Sequence, residues 1–283
     1  GYQPLAAAEK FSKAWNKNLS TLPGLTLEEA LSRVESNAVN APQAFYILGG
    51  DMIRQLPNSQ RIQSILQKAK FIVVQGAFMT EVAKLADVIL PVGVHAEING
   101  TYTSTDGRLG QTRAAVKTNG VRSGWQIIVD LSRKLDHPLE YVSAEDIFKE
   151  MSTLMPIYAG IQPGYRWPCP EMGAEIKGTF VSFDLEPDSL GEGDYTLIVG
   201  KAKGHSGSYT TFAEGPMIVN GRQALQINSG DAAQLGIAAG EAVTVSSAQG
   251  KIVVPAAIND NLPAGVVFLA DHFAEPLANS LTF

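Results

Sequence analysis

The run Gly200-Lys201-Ala202-Lys203-Gly204-His205-Ser206-Gly207-Ser208 brings cations, an imidazole and hydroxyls close together, with glycines between them. Lys201, His205, Ser206 and Ser208 are hydrogen-bond donors, and glycines such as Gly200 let a backbone N–H approach a ligand closely. This set suits the oxygens of a pyrophosphate. An ordinary polar hairpin would look the same, and spacing alone leaves both readings open. Two glycine turns form a second group. Gly49-Gly50-Asp51 and Gln75-Gly76 each follow an apolar run, where the carboxyl edge of an open α/β sheet accepts a nucleotide. Gly49, Gln75 and Gly76 are therefore binding candidates, with a plain turn as the alternative. A third group, Glu97, Thr101, Thr103, Asp106 and Arg108, sets an arginine near two carboxylates. Ion pairs that hold a loop are its simpler reading. Asp87 reads as a strand-end cap, because nothing beside it in sequence would tune it as a base.

Other chemistries find no anchor. Cys169 is the one cysteine, so the chain forms no internal disulfide and cannot itself supply the four thiolates of an iron-sulfur cluster. Its flanks, Pro168 and Pro170, suggest a rigid loop and an idle thiol. His95, His137 and His272 are isolated, and the chain has no HxxxH, HExxH or CxxC spacing, so a protein-built zinc or haem site is not expected. GxSxG and P-loop phrases are missing as well. A formal charge of −6 speaks against nucleic acid or an anionic membrane as a partner. The longest apolar runs, Phe71 to Val74 and Val266 to Ala270, fall far short of the roughly 20 residues that span a bilayer. With no secretory pattern at the start, a cytoplasmic location is expected.

The elements that must position these groups fall into two regimes. Between residues 25 and 135 apolar strands alternate with amphipathic helices, which predicts a parallel sheet covered on both faces. Thr26-Leu27-Glu28-Glu29 is a capping box ahead of Leu27, Ala30, Leu31 and Val34. A strand at Ala44 to Leu48 follows, then an Asn58-capped helix through Ile62, Ile65, Leu66 and Ala69. Phe71 to Val74 and Asp87 to Leu90 are further strands, with a short helix at Thr80 to Leu85 between them. Helices near 124–135 and 144–154 complete this domain. From 156 to 193, Pro156, Pro163, Pro168, Pro170 and Pro187 with several glycines read as a connection. Beyond it lie short strands at Tyr195 to Val199, Met217 to Val219, Leu225 to Ile227, Ala242 to Ser246, Ile252 to Ile258 and Val266 to Leu269. Only Asp231 to Leu235 reads as helical there, a pattern that predicts a closed barrel. The expected division is 1–155, 156–193 and 194–283.

Two phrases resemble a known superfamily, the molybdopterin oxidoreductases. The first is Ala86-Asp87-Val88-Ile89-Leu90-Pro91, followed by Glu97 and by Gly100-Thr101 through Asp106-Gly107-Arg108. The second runs from Leu225-Gln226-Ile227-Asn228 through Asp231 to Ile237 and Gly240 to Val245, closing on Ala278-Asn279-Ser280-Leu281-Thr282. The start, from Gly1-Tyr2-Gln3-Pro4 to Pro23-Gly24-Leu25-Thr26, is similar to the middle of formate dehydrogenase catalytic chains and of the large iron-sulfur (G) subunit of complex I, the NADH-quinone oxidoreductase.

The resemblance implies a Rossmann-like α/β domain followed by an all-β double-psi barrel. It further implies that Lys201, His205, Ser206, Ser208 and Asn279 face a pterin, and that the Glu97 to Arg108 loop shapes its pocket. Any metal ligand would lie outside these residues. Gly49-Gly50-Asp51-Met52 stands where family members commonly have Gly-Glu-Asn-Pro, and Lys201 stands where they commonly have arginine. These departures favour a scaffold like the large iron-sulfur subunit of complex I, without cofactor and docked to other subunits of a redox complex. His205-Ser206 and Asn279 favour the alternative, the cofactor-clamping part of a molybdenum or tungsten enzyme that binds molybdopterin guanine dinucleotide. A free-standing small-molecule binding protein is a third reading.

Overall fold

A computed structural model describes residues 5–20, 24–162, 164, 195–205 and 207–283. Cys169, Ser206 and most of the expected 156–193 connection lie outside the described residues. The first region opens with helices α1 (Leu5–Trp15) and α2 (Leu27–Glu35). In the capping box of α2, the Thr26 hydroxyl accepts from Glu29 N while Glu29 accepts from Thr26 N. Strand β1 (Ala44–Leu48), helices α3 (Met52–Gln55) and α4 (Ser59–Leu66), and strands β2 (Phe71–Gly76) and β3 (Val88–Pro91) follow. The expected helix between β2 and β3 is a single 3-10 turn, Ala83–Leu85. All three strands are parallel, in the order β1-β2-β3. Asn58 caps α4 as its position predicts, accepting from Arg61 N. Asp87 closes the sheet as a strand-end cap, accepting from Ile72 N at 2.7 Å.

One face of this sheet, carrying Ile47, Ile72 and Val74, packs with Leu31, Val34, Ile53, Ile62, Ile65 and Leu66 from α2, α3 and α4. Leu66 is fully buried. Leu66→Ala is therefore expected to cost about 2–5 kcal/mol, the range for a large core side chain truncated without collapse of the site, read as a lower urea midpoint at unchanged slope.

The Gly/Thr/Ser stretch expected as loop contains a hairpin, β4 (Gly100–Thr103) and β5 (Leu109–Thr112), paired antiparallel. Thr101, Tyr102 and Thr103 favour extended backbone. Gly107, at φ +79°, takes the left-handed conformation that the turn requires. Helices α5 (Gly124–Lys134) and α6 (Ala144–Leu154) end the region. Glu150 on α6 ties α1 to the Tyr141 segment, accepting from Trp15 Nε1 at 2.6 Å and from Tyr141 Oη at 2.5 Å.

The second region holds β6 (Thr196–Gly200), α7 (Glu214–Asn220), β7 (Leu225–Ile227), α8 (Ser229–Leu235), β8 (Ala242–Ser246), β9 (Lys251–Ile258) and β10 (Val266–Ala270). The expected strand at Met217 to Val219 is corrected: these residues lie in α7. Pro216 sits in the first turn of that helix, where its missing N–H has no intrahelical partner to lose. Ile218 and Val219 are exposed, so the short apolar run marks no buried strand. The strand order is β6-β10-β7-β9-β8. Within it, β6 with β10 and β7 with β9 are parallel, whereas β10 with β7 and β8 with β9 are antiparallel. The fold is thus mixed α/β, a three-stranded parallel sheet and a separate mixed sheet, each with its own core.

Polar contacts join the two regions. Asn279 Nδ2 donates to the carbonyls of Ile53 and Leu56 at 2.7 and 2.5 Å, and Asn58 N donates to Asn279 O at 2.9 Å. Asn58 Nδ2 donates to Gln249 Oε1 at 2.7 Å, and Leu277 packs on the first core. Phe78 stacks on Phe212, with ring centroids 4.4 Å apart.

Candidate functional site between the two regions

A cavity of about 530 Å³ lies at this junction. Arg54, Gln55 and Pro57 form one wall, and Val199, Lys201, Ser208, Tyr209, Asp271, His272, Asn279 and Thr282 form the other. Arg54 is the unusual member, a guanidinium 4% exposed. The chain leaves β1 through Gly49, whose φ of +66° suits glycine, and enters α3 just after Asp51. Asp51 is itself buried and accepts from the N–H groups of Glu81 and Val82 at 3.2 and 3.3 Å. Arg54, three residues on, shares its helix face, with Nε 3.7 Å from Asp51 Oδ2. One nitrogen, Nη1, donates to His272 O at 3.2 Å, and the guanidinium carbon lies 5.6 Å from the centre of the Phe212 ring. Arg54 Nε and Nη2 have no hydrogen-bond partner among the described residues. Burial lowers the proton affinity of Arg54, while Asp51 and Glu81 raise it. A buried cation with free donors is costly unless something completes its shell.

Opposite lies a pair of imidazoles. The His205 and His272 rings are 4.5 Å apart at their centroids, and Phe273 borders both. His205 Nδ1 is 3.0 Å from Thr210 Oγ1, whereas His205 Nε2 and both His272 nitrogens lack hydrogen-bond partners among the described residues. Asp271 Oδ2 is 3.5 Å from Lys201 Nζ, and its Oδ1 is 3.6 Å from His272 Nδ1. Burial, and then the neighbouring His205, Lys201 and Arg54, hold His272 below the usual histidine range against the pull of Asp271.

The structure brings some of the predicted site residues together and separates others. Lys201, Ser208 and Asn279 line the cavity, and His205 stands behind His272. Gly200 ends β6, and its carbonyl accepts from Asp271 N at 2.8 Å. Gly49, Gln75 and Gly76 sit at the carboxyl edge of the parallel sheet and do not line the cavity. Gln75 is engaged at both ends of its amide, donating to Gly124 O at 3.0 Å and accepting from Tyr46 Oη at 2.7 Å.

The Glu97 to Arg108 group holds its own loop. Thr118 Oγ1 and Val94 N donate to Glu97 and keep its carboxyl below the usual range. Asp106 accepts from Ser104 and from Arg108 N. Arg54, Tyr209, Asp271 and His272 were not predicted for the site. Asp271 and His272 directly follow β10, so the strand-end rule that selected Gly49 would have selected them too. Among the described residues no group of three or more His, Cys, Asp or Glu is arranged to hold a metal.

Comparison with known proteins places this geometry in a family. Residues 9–134 match the molybdopterin oxidoreductase family model, and residues 195–283 match that of the molybdopterin dinucleotide binding domain. The chain is 31% identical over 96% of its length to the NADPH-Fe(3+) oxidoreductase subunit alpha of Geobacter sulfurreducens, covering 32% of that protein. It is 32% identical over 100% of its length to the F420-dependent formate dehydrogenase subunit alpha of Methanocaldococcus jannaschii, covering 46% of it. With the NADH-quinone oxidoreductase G 2 subunit of Rhizobium meliloti it shares 27% identity over 99% of its length and 33% of the relative. The chain thus spans about a third to a half of these relatives. Acetylene hydratase from Pelobacter acetylenicus shares the fold, with a TM-score of 0.68 at 14% identity over 94% of this chain and 42% of that one. With both parts matched in the same order along one polypeptide, the chain belongs to the molybdopterin oxidoreductase family.

Proposed function

We propose that this chain is the cofactor-clamping part of a molybdenum or tungsten oxidoreductase, with molybdopterin guanine dinucleotide held in the cavity between its two regions. The single observation behind this reading is Arg54, a buried guanidinium in the cavity wall with two nitrogens that have no hydrogen-bond partner among the described residues. An oxygen-rich anion fits that donor set. Arg54 and Lys201 would hold its charge, and Ser208 and the His205–His272 pair would bound it. When bound, the group supplies the redox metal. The residues of this chain hold it, exclude water and keep the two regions closed on it. The parallel β6/β10 and β7/β9 pairings within a mixed sheet support a double-psi barrel as the second wall.

A scaffold role within a complex of the NADH-quinone oxidoreductase kind is the second reading. It is favoured by Asn279, whose amide is engaged by two carbonyls of the other region. In either case the partners are other subunits of a redox complex, and the location is cytoplasmic, peripheral to a membrane only through those subunits. No helix among the described residues is long and apolar enough to cross a membrane.

The test is elemental analysis for molybdenum and tungsten, with fluorescence of the oxidised pterin, on the longest natural form containing this chain. Stoichiometric metal and pterin are expected. Neither, in a form that retains its iron-sulfur clusters, would leave the scaffold reading.

A further inference from the structure

The charges around the cavity do not by themselves attract an anion. Arg54 is opposed by Asp51 at 3.7 Å, and Lys201 by Asp271 at 3.5 Å. With His272 neutral, each of these cations already faces a carboxylate, and Glu81 adds to the field at Arg54. The group among the described residues that can change that balance near neutral pH is His272, which packs against His205 and whose two ring nitrogens are buried without a hydrogen-bond partner among those residues. Resting on the cofactor-holding reading above, we propose that the cavity binds the diphosphate of its ligand together with a proton, which His272 takes up on binding.

The groups facing His272 set the sign. His205, Lys201 and Arg54 all disfavour a second charge beside them, and burial acts in the same direction. Asp271 alone favours it, with Oδ1 3.6 Å from His272 Nδ1 and without a hydrogen-bond partner among the described residues. In the free protein His272 is therefore neutral at pH 7. A diphosphate in the cavity cancels the repulsion from Lys201 and Arg54 and leaves the attraction of Asp271, so the charged form gains. The added proton can hydrogen-bond to Asp271, which then satisfies two buried atoms that have no hydrogen-bond partner among the described residues. The uptake therefore belongs to His272, whose ring is held against that of His205. It occurs at pH values above the lowered value of the free protein and below the raised value of the complex. Across that window affinity falls as pH rises, by about tenfold per pH unit for one proton. Below it His272 is already charged, and above it neither state holds the proton.

Titration calorimetry of the 283-residue chain with inorganic pyrophosphate at pH 7, in two buffers of different ionisation enthalpy, counts the protons exchanged, and the difference between wild type and His272→Asn removes those of pyrophosphate itself, which also titrates near neutral pH. The expected result is a binding heat that depends on the buffer, with uptake of between about half and one proton per site. In His272→Asn the uptake should shrink, and pyrophosphate affinity should become less dependent on pH. If His272→Asn fails to fold, His272→Gln supplies the same difference. Binding with equal proton counts in wild type and variant would overturn the proton coupling while leaving the cofactor-holding reading intact. No binding by the wild-type chain would overturn the diphosphate site itself. Repeating the titration on the pterin-loaded longest form separates the ligand's own diphosphate from a free anion. Loss of the pyrophosphate heat there supports the proposal, and an unchanged heat would overturn its placement in the cofactor's site.

Discussion

Arg54→Met is expected to weaken pterin retention by about ten- to a hundredfold and to lower folding stability by about 3–5 kcal/mol. The first figure follows from losing hydrogen bonds to a charged group, about 1.5–3 kcal/mol, at about 1.4 kcal/mol per tenfold. The second follows from what remains. Asp51 keeps its two backbone donors from Glu81 and Val82, and methionine fills much of the space beneath Phe212. Losing one member of a buried ion pair nevertheless leaves its partner, Asp51, as an uncompensated buried charge, and the bond to His272 O is lost as well. Pterin fluorescence after gel filtration of the longest natural form reads the first effect, and urea unfolding of the chain reads the second. Arg54→Lys should fall between the two proteins in retention, because it keeps charge and loses the planar fork. Equal retention in all three would remove Arg54 from the site.

The second large effect concerns the junction. Asn279→Ala is expected to lower stability by about 2–4 kcal/mol, because the carbonyls of Ile53 and Leu56 then lose their Asn279 donor at a buried junction. Thr282→Val, which removes a hydroxyl donating to Asn279 O at the cavity wall, should cost less than about 1 kcal/mol. Urea midpoints of the two variants separate the roles. An Asn279→Ala protein as stable as the parent would mean that the C-terminal turn is not what fastens the regions together.

The parts of the fold visible in the sequence are those in which burial and period coincide. The apolar spacing of Ile147, Phe148, Met151 and Leu154 sets a helix at 144–154, and the structure has α6 over those residues. Ala242 to Ser246 is likewise β8. Met217 to Val219 misled because three apolar residues fit either period. Their neighbour Pro216 is compatible with a helix's first turn. The β4–β5 hairpin was hidden in a loop-like composition, since Gly, Thr and Asp serve a tight turn as well as an open loop.

The site was legible in one half only. Lys201, Ser208 and Asn279 were selected by residue type or family resemblance, and all three line the cavity. Arg54 was missed because its meaning lies in burial against a segment more than two hundred residues away, the backbone of His272. Local sequence carries no trace of that distance. Gly49, Gln75 and Gly76 have the expected strand-end position but not the cavity, because the wall of the first region is built from α3 and the turn after it, with Arg54, Gln55 and Pro57.

The most direct test of cofactor clamping is an experimental structure of the pterin-loaded longest form, inspected for density in the cavity between the two regions. The expected result is a cofactor that contacts Arg54 from one side and Lys201 or the His205–His272 pair from the other. A cofactor bound elsewhere in that protein, with Arg54 still unpartnered and the cavity filled by water, would contradict it.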